Sequence, residues 1–284
     1  MKVDSAVIQA LRLDPAETTV TSHGGSGFSS TMKISGVLRD DDDNDDDDDD
    51  GTQQQKQALF FFFMKTGHGK DAETMFAGEH ASLNALHTTI PSLCPQSFAH
   101  GKLADSPGGA FLVTDFLDMR STGNSSSNSS SSHHSSATAG SGHSLAAKLA
   151  KLHTTPAPIP EGFSRPVFGF PVPTCCGSTE QENDFTEDWA DFYAEHRLRF
   201  ILRQSEKNNG KKDDGALRGL VERTAGEVVP RLLDKDHLNR GKGVQPVVIH
   251  GDVGSQLLPT VLLNSTLYYT KSALTHTAVE RQQG

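Results

Sequence analysis

From Asp40 to Asp50 every residue except Asn44 is aspartate, and no other feature limits the fold as strongly. Adjacent carboxylates repel one another and cannot enter an apolar core, so the run reads as a solvated insert. The structure must therefore be built by what flanks it. Before it stands the β-like "TMKIS" (31–35); after the Gln-rich stretch that ends at Gln57 comes "ALFFFFMKT" (58–66). Two strands joined by such an insert make a hairpin whose tip tolerates length, because closure entropy grows only with the logarithm of loop size. The same ten aspartates account for the whole formal net charge of −10. The remainder is balanced, which argues against nucleic-acid binding through bulk charge. A competing use of the run is an acidic surface for basic partners such as histones.

With 284 residues the chain is long enough for one large domain or two lobes. A second low-complexity segment, Ser121 to Ser144, is almost entirely Ser, Gly, Thr, Asn and His and lacks the apolar surface to fold. His133, His134 and His143 within it have no fixed geometry to hold a metal. Three cysteines, Cys94, Cys175 and Cys176, are too few and too irregularly spaced for a disulfide framework, so a reducing, cytoplasmic setting is expected. The N-terminus lacks a signal-peptide pattern, and the longest apolar run, Ala58 to Met64, is too short to span a bilayer, so no membrane partner is expected.

Spacing predicts an N-terminal helix over 6–13 and a Gly/Ser turn from His23 to Ser30. Further helices fall over 71–86, 143–153, 186–202 and 216–233, with a strand in "GAFLVTDFLD" (109–118). "VVI" (247–249) reads as a buried strand that delivers His250, Gly251 and Asp252 to a loop. Strands dominate the first 118 residues and helices follow. The fold class is therefore α+β: a β-rich N-terminal lobe over 1–117 with its insert at 40–57, then a helical lobe over 118–253 with its insert at 121–144. Residues 254–284 form an atypical tail.

Taken singly, the chemical signals are modest. "HGGSGFSS" (23–30) suits the covering of phosphates by backbone N–H groups, but serves equally as an ordinary turn. Lys65 closes an apolar strand and Glu79 lies on the following helix; each alone reads as a surface residue. Their order is more informative. A Gly-rich turn, a strand-end lysine, a helical glutamate, an apolar strand ending in Asp115, Phe116 and Leu117, and a strand-borne His-Gly-Asp succeed one another as in protein-kinase-like enzymes.

"FFMKTGHGKDAETMFAGEHASLNAL" (62–86) resembles the lysine strand and helix of the fructosamine/ketosamine 3-kinase family. "FGFPVPTCCGSTEQENDFTEDWADFYAEHRL" (168–198) is more specific: Phe-Gly-Phe, Cys-Cys-Gly, Gln181-x-Asn183 and Trp189-x-x-Phe192-x-x-x-x-Arg197-Leu198 follow in order. The resemblance runs from about Ser5 to Val253, and the inserts are similar to those of protein-ribulosamine 3-kinases. It implies a protein-kinase-like two-lobed fold and ATP-dependent transfer of phosphate to the 3-hydroxyl of a ketosamine, on glycated protein lysines or small ketosamines. The phosphate then eliminates and the amine is regenerated. Residue by residue, it implies that Gly24, Gly25, Ser26, Gly27, Phe28 and Ser29 cover the phosphates and that Lys65 pairs with Glu79. Asp115, Phe116 and Leu117 would hold the adenine, Asp252 would be the catalytic base, and His250 would support its loop. Gly27 stands where some members carry a cysteine.

The family continues after its aspartate with Trp-Ser-Gly-Asn and a later magnesium-binding Asp. Here Gly254, Ser255, Gln256 and Leu257 follow Val253, so Leu257 stands at the Asn, and no aspartate follows Asp252. The resemblance therefore implies ATP and Mg²⁺ as cofactors but an incomplete Mg²⁺ site. The helical lobe would be incomplete too, with the tail a truncation or a splicing or gene-model replacement. The alternatives are a non-catalytic nucleotide-binding remnant, or another small-molecule kinase of the aminoglycoside or choline type. Cys175-Cys176-Gly177 and the Trp189 motif weigh against the latter.

Overall fold

The computed structural model defines residues 2–26, 29–39, 58–117, 144–208 and 215–251. The chain divides into two compact units, one made of Met1–Phe76 with Pro95–Ser141 and the other of Ala77–Cys94 with Gly142–Gly284. The architecture is α+β, as the distribution of strands and helices implies.

The first unit is a five-stranded antiparallel sheet in the order β1-β2-β3-β5-β4. Its strands are β1 (Thr19–Ser26), β2 (Ser29–Val37), β3 (Leu59–His68), β4 (Ser97–Lys102) and β5 (Gly109–Asp115). Helix α1 (Ser5–Leu11) opens with Asp4 as its N-cap, which accepts the Ala6 N–H. Alternation along β3 splits the sheet into two faces. Phe62 and Met64 join Ile34, Val20, Phe111 and Val113 in a core shared with Val7, Ile8 and Leu11 of α1. Phe61, Phe63 and Lys65 therefore stand on the other face, where Ala110 and Leu112 of β5 pack with Ala72 and Phe76.

The predicted hairpin across the acidic run is borne out: β2 and β3 pair in continuous register from Ser30↔Thr66 to Val37↔Leu59. Its base is closed by the Leu13↔Leu38 bridge and by Arg39, whose Nε donates to the Leu13 carbonyl at 2.9 Å. Two strands went unforeseen. His23 to Ser26 is not a turn but the end of β1, paired with β2 as far as Ser26↔Ser29. Only Val20 of this strand is a buried hydrophobe, so it carries almost no alternating signal. β4 likewise contributes only Ala99 to the apolar core.

The second unit holds the rest of α2 (Lys70–Thr89), then α3 (Leu145–Thr154), the small hairpin β6 (Thr174–Cys176) and β7 (Thr179–Gln181), and two long helical rods. The first rod runs through α4 (Trp189–Tyr193), a π-helical stretch Ala194–Arg199 and α5 (Phe200–Asn208). The second runs through α6 (Gly215–Arg223), a π stretch Thr224–Val228 and α7 (Val229–Leu233). Ala190 and Ala194 meet Ala225 and Val229 where the rods pack. The predicted helices are all present, the first rod beginning at Trp189 with Asp188 as its N-cap. The expected strand at 247–249 is not a strand among the described residues: Val247 and Val248 stand in isolated bridges, that of Val247 being to Pro156. Val247, Val248 and Ile249 are nonetheless buried. Their apolar run reflects that enclosure.

Candidate functional site

Within the first unit one sheet carries three of the segments singled out by sequence. Lys65 lies in the middle of the sheet on β3, opposite Thr31 of β2 and Leu112 of β5, and is half-buried. Gly24, Gly25 and Ser26 end β1, and Ser29 begins β2; Gly27 and Phe28 lie outside the described residues. Asp115 ends β5, and Phe116 and Leu117 leave the sheet half-buried.

The carboxylate of Asp115 has a structural task. Its Oδ2 accepts the Gln96 N–H at 2.8 Å, while its own N–H donates to the Gln96 carbonyl at 3.0 Å. That exchange ties the end of β5 to the start of β4, so the side chain is committed to the scaffold.

Two residues missed by sequence reasoning complete this face. The Lys33 ammonium lies 4.2 Å from the centroid of the Phe61 ring and 4.3 Å from that of Phe116. His23 meets Phe116 edge-on, with centroids 5.3 Å apart and planes at 74°, and Phe63 at 6.1 Å and 86°. The available signal was alternation: Lys33 lies opposite Phe63 in register and next to buried Ile34, which puts it on the face that also carries Lys65.

The second unit holds Glu79, buried on α2 with 8% exposure, and half-buried His250. Gly251 has φ +81°, a left-handed conformation that turns the chain immediately before Asp252. Asp252 and residues 253–284 lie outside the described residues.

This unit also assembles the 168–198 signature into one network. Asn183, 3% exposed, donates from Nδ2 to the Val172 carbonyl at 3.0 Å and to Thr174 Oγ1 at 2.9 Å. Its Oδ1 accepts from Arg197 Nη2 at 2.7 Å, and its backbone carbonyl accepts from the Phe170 N–H. Arg197 also donates to the Glu182 carbonyl at 2.8 Å and sits 4.6 Å from the Phe192 ring centroid. Burial pushes its pKa down to about 10. Trp189 links the rings, 5.4 Å from Phe168 and 5.8 Å from Phe192. Cys175 and Cys176 lie half-buried on β6, beside this network. A groove of ≈ 180 Å³ opens between Phe170, Phe200, Glu180 and Glu182, smaller than sites that enclose small molecules.

This ordered coincidence of motif and contact agrees with a direct comparison: the family model for fructosamine kinase matches residues 50–261. The chain belongs to the fructosamine kinase family. The matched stretch contains Lys65, Glu79, Asp115–Leu117, His250 and Asp252, while Gly24–Ser29 precedes it.

Relatives in this family include a chloroplastic protein-ribulosamine 3-kinase of Oryza sativa subsp. indica, 28% identical over 71% of this chain and 51% of that protein. The ketosamine-3-kinase of Mus musculus is 30% identical over 67% of this chain and 58% of its own length. The chain thus spans about half the length of the curated relatives it matches. A crystal structure from Thermobifida fusca, itself named only provisionally as a fructosamine-3-kinase, aligns with 88% of this chain and 67% of its own at 19% identity and a TM-score of 0.48.

Among the described residues no group of three or more His, Cys, Asp or Glu side chains is placed to hold a metal ion. No helix among them is long and apolar enough to cross a membrane.

Proposed function

We propose that this fructosamine kinase family member transfers the γ-phosphate of ATP to the 3-hydroxyl of a ketosamine, on glycated protein lysines or small ketosamines in the cytoplasm. The observation that carries the proposal is the placement of Lys65, the Gly-rich end of β1 and Asp115 on one sheet, with Phe116 and Leu117 just past the end of β5. Relatives named as ribulosamine and ketosamine 3-kinases support the choice of substrate.

In this reading the β1–β2 hairpin, Gly24 to Ser29, covers the phosphates with backbone N–H groups. The Lys65 ammonium orients them and is paired by Glu79. Phosphoryl transfer is governed by positioning and charge neutralisation, so a fixed cation on a central strand is the group the reaction needs. Backbone groups of Asp115, Phe116 and Leu117 receive the adenine. Asp252, its loop supported by His250, takes the proton of the 3-hydroxyl as that oxygen attacks the γ-phosphorus and ADP departs.

Mg²⁺, when bound to such enzymes, neutralises charge that develops on the phosphates. Among the described residues no ligand cluster is placed to hold it, and by the family pattern Leu257 stands at the expected Asn. No step is therefore assigned to the metal. The same observation favours a second reading, a nucleotide-binding protein without transfer chemistry.

One experiment separates them. ATP binding by the full chain is titrated with and without Mg²⁺, and phosphate transfer to a ribulosamine- or fructosamine-modified lysine is followed with labelled ATP. Transfer that falls about 10²–10³-fold in Lys65→Ala and disappears in Asp252→Asn supports the kinase. Binding without transfer supports the second reading, and absence of ATP binding overturns both.

A further inference from the structure

The half-buried Lys33 has an unusual arrangement for a lysine on a sheet. A flexible ammonium on a strand normally extends into water, yet here one Nζ lies within 4.3 Å of two ring centroids, Phe61 on β3 and Phe116 just past β5. Both distances are within the range in which a cation is attracted to the negative face of an aromatic ring. The Phe116 ring is held a second time, by the edge-on contact of His23 at 5.3 Å. Three strands thus converge on one ring: His23 from β1, Lys33 from β2 and, through the shared ammonium, Phe61 from β3.

The backbone next to that ring is fixed from the other side. Asp115 is tied to Gln96 through its N–H and its carboxylate, but beyond Asp115 the chain leaves the sheet ladder. For Phe116, these ring contacts replace the ladder as the means of holding the chain.

We infer that Lys33 is a positioning residue for the nucleotide: its ammonium, shared between Phe61 and Phe116, holds Phe116 against the sheet and so fixes the Asp115–Leu117 segment for the base. This inference rests on the reading of that segment as the adenine contact. Lys33 itself touches no reacting group in this scheme. Its contribution is to keep the free protein already in the conformation that binds, so that less ordering is needed when ATP arrives.

The test compares the full chain with Lys33→Met, which keeps the aliphatic stem without the charge, and Lys33→Arg, which restores a cation for the rings. ATP affinity is measured by calorimetry, and amide hydrogen exchange of the peptide covering residues 112–117 is measured without nucleotide. Lys33→Met is expected to weaken ATP binding about five-fold and to speed exchange in that peptide. Lys33→Arg is expected to return both to within about two-fold of the parent. A simple loss of stability would move both variants alike, and would spread faster exchange over the whole sheet.

Unchanged affinity and unchanged exchange in Lys33→Met overturn the inference, as does faster exchange that Lys33→Arg fails to reverse. If the parent chain binds no ATP, the proposed function falls. The exchange comparison then decides alone whether Lys33 holds the segment. Lys33→Gln replaces Lys33→Met if the latter does not yield folded protein.

Discussion

Arg197 and Asn183 are joined by a 2.7 Å hydrogen bond from the guanidinium Nη2 to the amide Oδ1. The bond links the first helical rod to the loop that precedes it, and both partners belong to the signature that carried the family resemblance. Asn183 also serves Val172 and Thr174, so its amide satisfies three groups at once. Asn183→Ala is expected to destabilise the fold by about 2–3 kcal/mol, since it removes the acceptor of the Arg197 Nη2 and the donor to Val172 and Thr174 and leaves an open space. Chemical denaturation with fluorescence detection of Trp189 measures the shift; a change under about 0.5 kcal/mol would refute this role for the amide.

Gly169, the centre of the Phe-Gly-Phe motif, has φ +141°, and a Cβ there would lie 2.6 Å from Phe185 Cδ1 and 2.8 Å from the Asn183 carbonyl oxygen. Gly169→Ala therefore combines backbone strain with a collision against backbone and ring. A loss of about 2–4 kcal/mol is expected. The same denaturation experiment checks it, and a melt like the parent's would contradict the steric argument.

His153, in the last turn of α3, has a buried Nε2 without a hydrogen-bond partner. Burial lowers its pKa from the ordinary 6.5. The unfolded chain then takes up this proton first as the pH falls. Stability from this group is therefore full above about pH 6.5 and declines as the solution is acidified through the folded-state value. His153→Leu should flatten the acid side of the stability profile relative to the parent. Parallel profiles for the two proteins would rule the group out.

Asp4 caps α1 and reaches across to the β4–β5 connection. Its Oδ1 accepts from the Ala6 and Ala104 N–H groups and its Oδ2 from the Asp105 N–H. Asp4→Ala should destabilise the sheet unit by about 2 kcal/mol, and Asp4→Asn, which keeps one acceptor, by less. Hydrogen exchange of the α1 amides provides the readout, and equal effects of the two changes would count against the acceptor argument.

Legibility of the fold followed burial. β3, β5 and α2 bury runs or stripes of large apolar residues, so Phe62, Met64, Val113 and Leu83 announce their elements. β1 does not, because Thr19, Thr21 and Ser22 pair with β2 while facing outward. Val247 to Ile249 differ in the opposite sense: they are enclosed, yet among the described residues their backbone shows isolated bridges rather than a strand. At the candidate site, Lys65 and Asp115–Leu117 were visible through the order of motifs along the chain. The clasp on Phe116 was not, since His23, Lys33 and Phe61 approach it from three separate strands. The Asn183–Arg197 bond was equally hidden, its partners being motif letters with no stated geometry.

The closed base of the β2–β3 hairpin makes residues 40–57 a place for grafting. Val37 faces Leu59 in register, and Arg39 N–H returns to the Arg12 carbonyl at 2.8 Å. A reporter peptide or affinity handle exchanged for the acidic stretch would emerge from strands already locked together. Its length and composition can be changed while the neighbouring strands stay in step.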